Sequence, residues 1–162
     1  MKRNNFLLTA LILLFLGSAN AFSQGAKDIT INFRINAEAI FNGKSVEDNS
    51  ELSDNNRGKS GNGRPSDFES VAYPSKFVNW EIFDVGSDSG NYQVKFLDFP
   101  WTGDVDAFAK NPIPGGGKKA KAKIENNIAN GTVKYTIRFT IRSKATGETR
   151  TFELDPKIRV TS

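Results

Sequence analysis

Cysteine and histidine are absent from the 162 residues, and the only methionine is Met1. Without cysteine no disulfide staples the fold, so stability has to come from packing. Without histidine there is no imidazole for general acid–base work, and most zinc, copper and non-haem iron sites lose their usual ligand. Long apolar runs are also missing. The best is Phe6–Leu16, eleven uncharged residues, against the roughly 20 that a spanning helix needs. Charge of one sign is not in great excess either, with 22 lysines and arginines against 18 acidic residues.

What is present begins with an export signal. Lys2 and Arg3 precede the apolar run, and Ala19-Asn20-Ala21 or Ala21-Phe22-Ser23 supplies the small-x-small cleavage pattern. Residues 1–23 are therefore expected to be removed, leaving a soluble protein in the periplasm or outside the cell, with no span left in the membrane. No cysteine follows the cleavage site, so a lipid-modified start is not expected. Loss of Lys2 and Arg3 leaves 20 basic against 18 acidic residues, too even a balance for a nucleic-acid footprint. Residues 24–162 have the length of one domain, and ten of the chain's thirteen phenylalanines fall there to suit its core.

The pattern of that domain is a period of two. Val133, Tyr135, Ile137, Phe139 and Ile141 alternate with Thr132, Lys134, Thr136, Arg138, Thr140 and Arg142, which reads as a single long strand. The chain returns through Phe152, Leu154, Ile158 and Val160. Further strands are expected over Asp28–Asn36, Phe77–Phe83, Tyr92–Leu97 and Lys118–Ile124, the last as an edge strand guarded by its lysines. Ala37–Phe41 reads as a strand extension or one helical turn, and Asp104 as the cap of a short helix reaching Lys110. Pro112, Pro114 and Gly115–Gly117 break regular structure. Asn42–Asp67 has only Val46 and Leu52 as sizeable apolar residues, so it reads as a flexible polar loop or insertion. Its oxygen donors, Asp48 to Asn56, miss the EF-hand spacing. The fold class is all-β, two apolar faces pressed together as a sandwich.

Several separated pieces together resemble the cupredoxins. Val78-Asn79-Trp80, Asp84 and Tyr92-Gln93-Val94-Lys95-Phe96 are similar to their V-x-W…D…H-x-V-x-F segment. Gly131–Ile137 is similar to their G-T-Y-x-Y-x-C strand, and Leu154–Val160 to their closing M-x-G-x-I-x-V strand. The resemblance covers most of residues 77–160 and implies a Greek-key β-sandwich of seven or eight strands. It implies no copper chemistry. The ligand positions hold Tyr92, Ile137 and Leu154, and phenol and hydrocarbon cannot replace imidazole, thiolate and thioether. No cofactor is expected.

Three functional readings remain. Trp101 and Tyr92 with Asp98 and Asp104 form a candidate ligand-binding set, as in a carbohydrate-binding module. Lys119, Lys121, Lys123, Lys134 and Arg138 form a candidate cationic face for polysaccharide or an anionic envelope surface. A small hydrolase using paired carboxylates among Asp84, Asp88, Asp98, Asp104 and Asp106 is the enzymatic alternative. The reading preferred from the residues is an exported, non-catalytic, metal-free domain with a binding or structural role.

Overall fold

The alternating runs do become strands. The computed structural model describes residues 26–56, 58–59, 64–87 and 89–162; the expected leader, residues 1–23, lies outside the described residues. In chain order the elements are β1 (Ile29–Ile35), α1 (Ala37–Phe41), β2 (Ser50–Asp54), β3 (Gly58–Lys59), β4 (Glu69–Ala72), β5 (Phe77–Asp84), β6 (Tyr92–Phe99), β7 (Trp101–Gly103), β8 (Ile113–Gly117), β9 (Lys119–Lys123), β10 (Gly131–Tyr135), β11 (Ile137–Ser143), β12 (Thr149–Leu154) and β13 (Lys157–Val160). They form a nine-stranded sheet ordered β12-β11-β6-β8-β9-β5-β1-β2-β3 and a four-stranded sheet ordered β4-β13-β10-β7. The protein is an all-β sandwich, with thirteen strand segments among the described residues rather than seven or eight.

The larger number has a physical origin. The long strand expected over Val133–Ile141 divides at Thr136, so β10 belongs to one sheet and β11 to the other. Its neighbours divide at the same level. The β6–β7 strand breaks at Pro100, and the β12–β13 strand breaks at Asp155-Pro156. A proline has no N–H to give a ladder, which makes it a natural step between sheets. The line is held by main-chain bonds, with the Thr136 N–H donating to the Pro100 carbonyl (2.8 Å) and the Tyr135 N–H to that of Pro156 (3.2 Å). Three adjacent strands therefore pass from sheet to sheet along one corner.

The core lies between the sheets. Ile29, Ile31, Phe33 and Ile35 of β1 alternate inward, as do Val78, Trp80 and Ile82 of β5 and Ile137, Phe139 and Ile141 of β11. Trp80 sits at its centre, 4.8 Å from the ring of Phe99, and donates its indole N–H to the Tyr135 hydroxyl at 3.3 Å. Asn36 caps α1 by accepting from the Ala39 N–H, and the short helix buries Ala37, Ile40 and Phe41 at one end of the core.

Within the polar stretch Asn42–Asp67, residues 57 and 60–63 lie outside the described residues, and the described part includes regular structure. It contributes β2, which pairs antiparallel with β1, and places Leu52 and Asp54 in the interior. Asp54 is tolerated there because Ser70 Oγ donates to its Oδ2 and the Asn56 N–H to its Oδ1. That contact joins β2 of one sheet to β4 of the other. Ser70→Ala withdraws a hydroxyl from a buried carboxylate and should cost about 1–3 kcal/mol, read as a lower urea midpoint at unchanged m-value.

Candidate functional site

The residues singled out from the sequence separate into distinct places. Lys119, Lys121 and Lys123 are exposed along β9, but β9 is not an edge strand. It lies inside the nine-stranded sheet, between β8 and β5. Its alternation comes from a sheet wet on one face and covered on the other. Lys119 Nζ pairs with Glu81 Oε1 at 2.7 Å, and Lys121 Nζ stands 3.8 Å over the ring of Phe77.

β9 is only half paired on its β8 side. Among the described residues its one partner there is Gly116, opposite Lys119. The register with β5 fixes which main-chain groups remain. Ile82 N–H donates to Lys118 O and Ile124 N–H to Lys76 O, in the same register that pairs Phe77 with Lys123. Ala120 and Ala122 therefore turn their N–H and C=O toward β5, while those of Lys121 and Lys123 turn toward β8. Here β8 has drawn away, leaving a cleft of about 530 Å³ lined by Asn79, Glu81, Gly115, Gly116, Lys119 and Lys121, among others.

The glycines that seemed only to break structure make this cleft. A Cβ on Gly115 would come within 2.6 Å of the carbonyl oxygens of Phe96 and Leu97. Gly117 has φ +80° at the start of the two-residue turn into β9, a conformation open to glycine. With no side chains at 115–117, that wall of the cleft is main chain. The sequence signal was present: a glycine-led turn followed at once by alternating Lys-Ala.

A second cleft, about 320 Å³, lies at the corner where the strands change sheets and includes Trp101, Lys134, Tyr135 and Asp155 in its lining. Trp101 is not an exposed platform. It is 9% exposed, its indole N–H donates to the Lys110 carbonyl at 2.8 Å, and its ring packs edge-on to Phe108 at 6.0 Å. Pro100 ends β6 as expected, but the chain resumes pairing immediately as β7, opposite Tyr135. Asp98 and Arg138 form a bidentate pair, at 2.5 and 2.6 Å. The bond to Asp98 raises the Arg138 pKa further above its ordinary value. Lys134 and Arg138 do not share a face, because they lie in different sheets on either side of the corner.

The other expectations also come apart in space. Tyr92 begins β6 and Trp101 follows its end, about 30 Å apart along an extended strand. Tyr92 instead packs on Phe41 at 5.5 Å. Asp104 is exposed in a bend, its N–H donating to Thr132 O at 3.1 Å. The short helix expected from Asp104 to Lys110 does not form; Ala107 and Phe108 plug the core there instead. Of the ligand positions implied by the cupredoxin resemblance, Ile137 and Leu154 are buried cross-strand partners. Tyr92 lies at the far end of β6, opposite Ser143. Asp88, a candidate carboxylate, lies outside the described residues.

Among the described residues no helix is long and apolar enough to cross a membrane. No protein-family profile matches the chain, and no curated protein matches it. Among solved structures, the chain is similar to the inclusion body protein PixA from Burkholderia cenocepacia J2315, with a TM-score of 0.60 and 11% identity over 90% of this chain and 99% of that one. What the two share is the fold.

Proposed function

We propose that the protein is an exported, non-catalytic binding module that takes up anionic polysaccharide at the cleft between β8 and β9. The observation that carries this is the coincidence of exposed lysines with open main-chain groups. Lys119 and Lys121 supply charge for carboxylate or sulfate, and the N–H and C=O of Lys121 face the cleft to meet sugar hydroxyls. Lys123, exposed at the end of the same strand, extends the charge. The leader-like residues 1–23 support export.

The enzymatic alternative is less favoured, since both Asp98 oxygens are occupied by Arg138 and Asp104 points into solvent. The Trp101 platform is less favoured because its ring is packed inward. Kinship with the cupredoxins is proposed as kinship of frame, carried by the V-x-W and V-x-F strands, here β5 and β6, which lie in one sheet.

Retention on immobilised alginate, a polyuronate, tests the reading. The wild-type protein should bind at low ionic strength and elute with salt. Lys119→Gln with Lys121→Gln should weaken binding roughly tenfold, while Lys157→Gln on the other sheet should leave it unchanged. Equal retention of all three proteins would overturn it.

A further inference from the structure

We infer that the free edge of β12 is a docking surface for a second copy of this chain, extending the nine-stranded sheet across a two-fold axis. β12 ends that sheet with six residues, Thr149–Leu154. The other terminal strands are shorter: β3 has two residues, β7 three and β4 four. Natural edges are usually blunted by proline, outward lysine or a bulge. β12 contains no proline or lysine, and its register with β11 runs without a shift from Leu154 to Thr149.

The hydrogen-bonding parity of this edge is fixed by the hairpin. Ser143 N–H donates to Glu148 O at 2.9 Å, in the same register that pairs Ile141 with Arg150 and Phe139 with Phe152. Arg150, Phe152 and Leu154 thus spend their main-chain groups on β11. Those of Thr149, Thr151 and Glu153 point outward, with no partner among the described residues. A two-fold axis perpendicular to the sheet keeps inner faces together, so it must pair residues of equal parity. Centred on Thr151, it pairs Thr151 with its own copy and Thr149 with Glu153 of the other. All three open positions are then used, in both chains.

The side chains agree with that register. On the outer face Glu153 lies beside Arg138 and Thr149 beside Arg142. Pairing across the axis sets Glu153 between its own Arg138 and, one strand beyond the facing Thr149, the second copy's Arg142. Thr140 and Thr151, neighbours within one copy, meet the same pair from the other in a band of β-branched residues suited to a sheet face. No like charges face each other. On the inner face Phe152, half-buried 5.7 Å from Phe139, gains cover. The Arg150 guanidinium is drawn aside over Phe41, whose carbonyl it also binds at 2.6 Å.

The parity also provides the test. Proline at 151 removes an N–H that no bond among the described residues uses, whereas proline at 152 would break the β11 ladder. Sedimentation of the wild-type protein should show a dimer that dissociates on dilution. Thr151→Pro and, independently, Thr151→Lys should sediment as monomers, and should melt at the same temperature as the wild type diluted to its monomer. Hydrogen exchange gives a second reading without mutation: the amides of Thr149, Thr151 and Glu153 should slow as concentration rises, those of Arg150 and Phe152 being slow throughout. A wild-type monomer at every concentration, or a dimer untouched by Thr151→Lys, would overturn the inference. So would the three amides exchanging quickly in the dimer.

Discussion

Trp80→Ala should remove about 3–5 kcal/mol of folding free energy, the range for deleting a large buried aromatic. For a domain whose whole stability is of order 5–15 kcal/mol, that is a large share of what keeps it folded. The effect is large because the indole touches several elements at once. Its ring lies 4.8 Å from Phe99 of β6, 5.9 Å from Tyr135 of β10 and 6.2 Å from Phe108. It comes from β5, so it joins the two sheets and the 104–112 segment. Removal leaves a cavity that three separately anchored walls cannot all close. Trp80→Phe keeps most of the ring contacts and forfeits the N–H bond to Tyr135, so it should cost clearly less than the alanine change. Urea denaturation with a common m-value measures both. A loss below about 1 kcal/mol for Trp80→Ala would mean that the core is organised differently.

Trp80 was legible in the sequence, and the reason shows how far period-two reading extends. A residue in register with Val78 and Ile82 shares their face, and all three are buried. The same reasoning located β1, β6, β9 and the Val133–Ile141 run. It could not show that this run changes sheets. The inward set Val133, Tyr135, Ile137, Phe139 and Ile141 continues unbroken across Thr136, because bending at a corner leaves side-chain parity intact. Nor could it place β9. Lysines alternating with small residues look alike on an edge strand and on the wet face of a central one. The strand β2 inside the polar stretch Asn42–Asp67 was hidden for a third reason. Asp54 is buried by a hydroxyl sixteen residues away, and no local pattern reports a partner at that distance.

The candidate site was only partly legible for related reasons. Lys119 and Lys121 were singled out for charge, and both line the larger of the two clefts described. The groups that make it a cleft belong to the main chain. They come from an unfinished pairing between β8 and β9, whose one sequence signal is the glycine-led turn before the Lys-Ala alternation. Trp101 misled because a tryptophan just after a proline resembles a loop residue. Here the proline marks the step from β6 to β7, and the ring closes the core beneath that step.

Raising the pH should destabilise the protein through Tyr135, and Tyr135→Phe should abolish that part of the loss. Burial pushes the Tyr135 phenol well above its ordinary value near 10, the hydrogen bond from Trp80 opposes this, and the charge of Asp54 adds to it. The folded protein therefore keeps a proton that the unfolded chain releases above about pH 10. Where the unfolded state binds fewer protons, stability falls as pH rises, by up to about 1.4 kcal/mol per unit for one group. Below that pH both states hold the proton and the contribution is constant. Phenylalanine carries no such proton but leaves the Trp80 N–H without its acceptor, which should cost about 1–3 kcal/mol at neutral pH. The variant should start less stable, and the difference should narrow once pH passes about 10. Every other titrating side chain is common to both proteins, so the difference between their urea-derived stabilities isolates this one. Curves that stay parallel from pH 8 to 11.5 would show that the phenol is free to ionise in the folded state, and that the space between Trp80 and Phe99 is open to water.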